Sequence, residues 1–373
     1  MYFSCLRPMF VTVMILLLTQ PALAQTPRFA SDNPMRSGLD SAVDQRVQRY
    51  LKDERVVGLS LGILINDKPY FYNYGETKVG NHQLPTDNTI YEIGSITKTF
   101  TGILLAQAVL DKKLALDDDI RKYLPGQWPN LTFEGVPIRV RDLSNHTARV
   151  TRIFRNLWDR PAYDSLNPLH DYTRAMLYEG LHAMKMDTFP GKISSYSNMG
   201  AALLGTMLED AYGQSWFALV SKNILQPLGM KSTRIDVSGV PASAIAWPHN
   251  DRRETVPLWD MAYLPAMGSL RSTTRDLMAY LRANNSAASP AIALSHQPTY
   301  TSEKESLGLN WFLPTSPDGH PMLEHTGGTG GSRSSLDCFP TLKSGFIILT
   351  NSLANRKDLE KELVALVTEK ARP

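Results

Sequence analysis

Leu59-Ser60-Leu61-Gly62-Ile63-Leu64-Ile65, then Asn66-Asp67-Lys68, then Tyr70-Phe71-Tyr72, is the stretch from which the fold is read. Leu59, Leu61, Ile63 and Ile65 alternate with smaller or polar residues, and Asn-Asp-Lys supplies turn chemistry before a second β-rich run, so the segment predicts a hairpin. Upstream, Leu39, Val43, Val47 and Leu51 fall four apart, one face of an amphipathic helix. From Gly308 onward the strand pattern returns: Leu309-Asn310-Trp311-Phe312, Ser334 to Phe339, and Phe346-Ile347-Ile348-Leu349. A last helical stripe runs through Leu359, Leu363, Leu366 and Val367. Between about Thr97 and Thr274 the apolar spacing is mostly helical, as in Phe100, Ile103 and Leu104 and again from Met199 to Leu208. Loops such as Leu124-Pro125-Gly126 and Asn167-Pro168 interrupt it. The expectation is an α/β (α+β) fold in which both chain ends build one antiparallel sheet flanked by helices. The sheet part would span about 36–94 and 300–373, and a mainly α subdomain would be inserted at about 95–299. A cleft between the two is where a ligand is expected.

The 373 residues are 43% hydrophobic and 20% charged, values of a packed domain and not of a disordered or fibrous chain. No Pro, Gly or Ser tract and no long charge run offers a linker, so residues 25–373 are expected to form one interwoven unit. Residues 1–24 read as a secretory signal: Arg7, an apolar run from Phe10 to Leu18, and the small-residue site Ala22-Leu23-Ala24, with cleavage after Ala24. The run is shorter than the roughly 20 apolar residues that span a bilayer. The mature chain is therefore expected in the periplasm or secreted, with no membrane span. Loss of the signal removes Cys5 and leaves Cys338, in a strand-like stretch without a nearby His, as a buried inert residue. The formal charge of +3, or +2 without Arg7, is too slight to argue for a nucleic acid partner.

Three short motifs carry chemistry. Ser95-Ile96-Thr97-Lys98 follows Gly94 and opens a helical stripe, which puts the serine and the lysine on one face a turn apart. A serine hydroxyl needs a neighbour to take its proton, and a lysine in a desolvated cleft has its pKa lowered toward that task. Tyr196-Ser197-Asn198 stands between Pro190-Gly191-Lys192 and a helical run. Its tyrosine hydroxyl can face a cleft where a nearby cation favours the phenolate, and its asparagine can hold a substrate amide or simply cap the helix. His325-Thr326-Gly327-Gly328-Thr329-Gly330-Gly331 falls where a strand is due, and glycines there admit a close backbone or substrate. The lysine and following helix of a phosphate-binding loop are missing. His146 and His249 have no second ligand at metal spacing and read as structural, so neither a metal nor a cofactor is expected.

Together, Ser-x-x-Lys, Tyr-x-Asn and His-Thr-Gly in this order resemble the three active-site elements of serine β-lactamases and DD-peptidases, particularly class C β-lactamases and their relatives. Tyr91-Glu92-Ile93-Gly94, Asn145-His146-Thr147, Pro227-Leu228-Gly229-Met230 and Gly268-Ser269-Leu270-Arg271 look like further landmarks, so the resemblance covers nearly the whole mature chain. It implies Ser95 as nucleophile, Lys98 as its proton partner, Tyr196 as general base or acid, and Asn198, His325, Thr326, Gly327 and Gly328 as substrate-binding residues. The backbone N–H groups of Ser95 and Gly328 would form the oxyanion hole. The implied activity is hydrolysis of D-alanyl amide, β-lactam or ester bonds in a small-molecule or peptidoglycan-derived substrate. The alternative is a penicillin-binding, peptidoglycan-sensing protein without turnover. Two departures stand out. His325 replaces the lysine of class C β-lactamases, which removes a standing cation, since a free histidine is mostly neutral at pH 7. Arg149 stands where glycine is usual, which puts the loop at the cleft edge in question.

Overall fold

The computed structural model describes residues 29–372; the expected signal and its cleavage point lie outside them. Ser37 opens α1 (Gly38–Tyr50) with a capping box: its Oγ accepts from the Asp40 N–H, and the Asp40 carboxylate accepts from the Ser37 N–H. The hairpin follows as β1 (Gly58–Ile65) and β2 (Lys68–Gly75). Its two turn residues, Asn66 and Asp67, have φ of 49° and 64°, the left-handed pair that matches the twist of a two-residue hairpin.

The helical middle contributes α2 (Thr97–Leu110), α3 (Asn198–Tyr212) and α4 (Thr274–Asn285) among shorter helices. The chain then returns to strands β3 (Leu323–Gly328), β4 (Arg333–Phe339) and β5 (Ser344–Thr350), and closes with α5 (Lys357–Lys370). The sheet order is β2-β1-β5-β4-β3, antiparallel throughout, with Leu59 opposite Thr350 and Leu336 opposite His325. The expected α/β architecture, a sheet drawn from both chain ends, is what forms. Both faces of that sheet are covered. Along β5, Phe346 and Ile348 join a core with Val43, Val47 and Leu363 from α1 and α5, while Ile347 and Leu349 join a larger core with Phe100 and Leu277 from α2 and α4. That double burial is why β5 reads as a continuous apolar run.

One expected strand is not there. Leu309-Asn310-Trp311-Phe312 makes only isolated bridges, because Asn310 is left-handed (φ 57°) and its N–H donates to the Ser144 carbonyl while the Leu309 N–H donates to Ser295. Phe312 alone exchanges backbone bonds with Glu324 on β3. Cys338 is buried in β4, and burial raises its thiol pKa. Among the described residues no helix is long and apolar enough to cross a membrane.

Candidate active site

Two glycines set where the motifs meet. Gly94 is left-handed (φ 49°), and a Cβ on it would lie 2.6 Å from the Gly328 nitrogen. A Cβ on Gly327 would lie 2.0 Å from the Ile93 carbonyl, which the Ser334 hydroxyl also holds at 2.7 Å. Only backbone without side chains lets the turn before Ser95 press against the end of β3. Glu92 fixes the same junction from beneath: buried, it accepts from the Thr329 hydroxyl at 2.6 Å and from the Trp259 N–H at 2.7 Å.

Ser95 occupies the 3-10 turn Gly94–Ile96 that runs into α2, so Lys98 follows one turn later on the same side. Lys98 is fully buried; its Nζ donates to the Ser95 hydroxyl (3.0 Å) and to the Met267 carbonyl (2.5 Å). Burial, reinforced by the Arg152 charge, drives its pKa well below the usual lysine range.

Tyr196 ends a loop whose next residue, Ser197, caps α3: its Oγ accepts from the Gly200 N–H (2.8 Å) and donates to the Thr151 carbonyl (2.8 Å). The capping role open to Asn198 thus falls to Ser197, and Asn198 becomes the first helical residue, outside the lining of the cleft. Lys98 Nζ and the Arg152 guanidinium each lie 5.0 Å from the centroid of the Tyr196 ring, and the His146 ring is 4.4 Å away. Burial pushes the Tyr196 pKa up to about 12, against the opposing pull of Ser95 and Arg152. The hydroxyl faces Ser95 yet makes no hydrogen bond of good geometry.

His325 sits on β3 at 1% exposure. Its Nδ1 lies 2.8 Å from the Thr326 carbonyl, and since a carbonyl only accepts, Nδ1 carries the proton. Burial and the neighbouring Lys98 lower its pKa to about 3, so the ring is neutral. His146, left-handed at φ 61°, has the opposite tautomer: its Nδ1 accepts from the Ser197 N–H at 3.3 Å. Burial, then Lys98, His325 and Arg152, hold it neutral as well. Both Nε2 atoms are buried without a partner, as is the Tyr196 hydroxyl.

These side chains open on a cleft of about 520 Å³ lined by Ser95, Tyr196, His325 and the Thr326–Gly328 backbone. The structure therefore brings Ser95, Lys98, Tyr196 and the His-Thr-Gly strand into one place. Sequence reasoning missed Arg152, Trp259, Arg333 and Arg356, which also line it. It also set His146 aside as structural, although the ring packs on Tyr196. Arg149 keeps the glycine-like conformation (φ 59°) and spends its side chain on a two-point bond to Asp187, at 2.9 and 2.6 Å. The loop survives the substitution. No group of three His, Cys, Asp or Glu side chains among the described residues is placed to hold a metal ion.

The sheet, the inserted helices and the cleft between them define a serine hydrolase. Residues 43–369 match the Beta-lactamase family, and the chain belongs to it. It is 26% identical to the D-alanyl-D-alanine-carboxypeptidase/endopeptidase AmpH of Escherichia coli K12, an alignment covering 92% of this chain and 90% of that protein. A Beta-lactamase of Pseudomonas fluorescens is 25% identical over 83% of this chain and 92% of its own length. Among solved structures, the Beta-lactamase/D-alanine Carboxypeptidase from Yersinia pestis superposes with a TM-score of 0.75 at 22% identity, over 90% of this chain and 99% of that one. A class C beta-lactamase in complex with cefoxitin gives 0.74 at 23%, over 88% and 98%. These structural likenesses establish the shared fold.

Proposed function

We propose that the chain is an exported acyl hydrolase, active in the periplasm or secreted after loss of residues 1–24. It opens D-alanyl amide, β-lactam or ester bonds of a small or peptidoglycan-derived substrate through a Ser95 acyl-enzyme. The observation that carries this reading is the contact between Ser95 and Lys98: a 3.0 Å approach by a fully buried amine whose other partner is a carbonyl. A lysine so placed favours its neutral form, keeps its bond to the Met267 carbonyl and turns its lone pair to the serine hydroxyl. Ser95 Oγ attacks the carbonyl carbon as Lys98 takes its proton. In this scheme the oxyanion forms between the N–H groups of Ser95 and Gly328, a role that the close approach of Gly94 to the Gly328 backbone supports. Loss of one such donor costs roughly 10²–10³ in rate.

Tyr196, with a pKa near 12, is a protonated phenol at neutral pH and so serves as the acid. When the intermediate collapses, the bond to the leaving group breaks, Tyr196 protonates that group, and the Lys98 ammonium restores the tyrosine proton. Water then attacks the acyl ester as Lys98 takes its proton, and when the bond to Ser95 Oγ breaks Lys98 returns that proton to the serine, restoring the hydroxyl and the neutral amine. His325, Thr326 and Gly327 flank the substrate in this scheme, the backbone of β3 running beside it as an edge strand, while Asn198, at the start of α3, lies outside the cleft lining.

A fluorescent penicillin and 4-nitrophenyl butyrate, each offered to the wild type and to Ser95→Ala, test the reading. Labelling or turnover should fall by at least about 10³-fold in the variant. If neither reagent reacts in a Ser95-dependent way, the reading is wrong. A stoichiometric burst with no steady state would favour the sensor without turnover.

A further inference from the structure

The cleft holds its positive charge in an unexpected place. Burial holds His325 and His146 neutral and drives Lys98 toward its neutral form, which weakens the positive charge the motif residues can offer. Of the three arginines in the lining, Arg333 donates to the Thr329 and Ser332 carbonyls, and Arg356 is paired with Glu360 at 2.9 Å and bonded to Ser335. Arg152 is different. The residue is exposed, and among the described residues its side chain makes no hydrogen bond and no ion pair; the guanidinium lies over the Tyr196 ring, 5.0 Å from the centroid. Its backbone is fixed, the Arg152 carbonyl accepting from the N–H groups of Asn198 and Met199 at 3.2 and 3.4 Å. No carboxylate lines the cleft to neutralise it.

We propose that Arg152 is the specificity residue of this cleft, selecting substrates that carry a carboxylate on the Tyr196 side of the scissile bond. The inference rests on the acyl-enzyme reading above. A guanidinium that rests over an aromatic ring and has no hydrogen-bond partner keeps its N–H fork free, and that fork matches a carboxylate with two parallel bonds. Because the arginine is anchored through its backbone to the first turn of α3, an anion held there lies beside Tyr196 and Ser95. The carboxylate can belong to the acyl portion or to the leaving group; both present the same chemistry to Arg152.

Three esters separate these sources: 4-nitrophenyl butyrate, which is neutral; 4-nitrophenyl hemisuccinate, charged on the acyl side; and 3-carboxy-4-nitrophenyl butyrate, charged on the leaving group. The readout is the kcat/KM of each charged ester relative to the neutral one, for the wild type, Arg152→Gln and Arg152→Lys. The wild type should prefer at least one charged ester by about tenfold, the scale of a charge-assisted pair in a partly wet site. Arg152→Gln should bring that ratio to about 1, and Arg152→Lys should keep an intermediate value, since the charge stays and the fork is lost. Which ester shows the preference identifies the side that carries the anion. A wild type indifferent to both carboxylates, or a ratio unchanged in Arg152→Gln, overturns the proposal. Absence of any Ser95-dependent ester turnover would instead sink the acyl-enzyme reading beneath it.

Discussion

Glu324 and His325 are neighbours on β3 and so point to opposite faces of the same edge strand, each into a crowd of its own charge type. On the His325 side stand Lys98, His146 and Arg152; on the Glu324 side stand Asp337, directly across the ladder, and Glu360, with Arg356 as their cation. Burial acts on both groups in the same sense, against charge. It lowers the pKa of Lys98, His325 and His146, and it raises that of Asp337 and Glu324. The two sides differ in what is left over. The carboxylate group closes on its cation, Arg356 being tied to Glu360 and to Ser334 and Ser335. The cleft leaves Arg152 open. A neutralised cluster with one unspent charge at its mouth is poised to meet a ligand, whereas one that has consumed its counter-ion carries only the cost of like charges held together.

Removing the amine is the strongest way to break this contrast. Lys98→Ala should lower kcat/KM on a neutral ester by about 10³-fold, within the range for loss of a general base, with folding checked by thermal melting. A smaller effect comes from the mouth of the cleft. Burial is the larger cause of the lowered Lys98 pKa and Arg152 the second, so Arg152→Gln should raise that pKa. Activity needs Lys98 neutral, so the limb of the pH–rate profile that rises with pH should move to higher pH. An acid limb that stays in place would show that the guanidinium does not reach the amine. The smallest effect belongs to the other face. The Asp337 carboxyl has a folded pKa raised above its unfolded value, so its favourable contribution is present at low pH and lost as pH rises through the folded value. Asp337→Asn should therefore raise Tm at pH 8 by roughly 1–2 °C, the equivalent of about 1 kcal/mol in a chain of this size, and by less at pH 5. A lower Tm at pH 8 would mean the carboxylate is stabilised in ways that its neighbours do not suggest.

Much of this molecule is legible in its sequence where a local rule acts alone. Asn66 and Asp67 mark the hairpin because few other residues take left-handed φ cheaply, and the continuous apolar run of β5 stands out because each face of that strand has its own core. Ser95 and Lys98 meet because helical spacing guarantees it. What was hidden depends on distant partners. Leu309 to Phe312 has a strand's composition, but Ser144 and Ser295 capture its backbone from elsewhere. Arg152 lies in a loop with no periodicity, three residues after a more conspicuous arginine, and its place over Tyr196 depends on bonds from the start of α3, 46 residues away. Arg149 drew notice as a departure from glycine, yet its backbone takes the glycine's conformation at a cost of about 1–2 kcal/mol, which the bond to Asp187 helps to offset.

The pairing of β1 with β5 also sets a schedule for making the protein. The Thr350 hydroxyl bonds the Gly58 carbonyl across 292 residues of chain, and β5 separates β1 from every strand on the cleft side of the sheet. During synthesis at about 5–20 residues per second, the N-terminal hairpin waits tens of seconds for the strand that completes it. Ser95 and Lys98 exist as a helical turn long before then, but the backbone that must face them across the cleft is among the last to be made. A chain stopped short of β5 carries the whole Ser-x-x-Lys motif and an open sheet edge, and a nascent chain of this kind is more exposed to aggregation than to misuse of its chemistry.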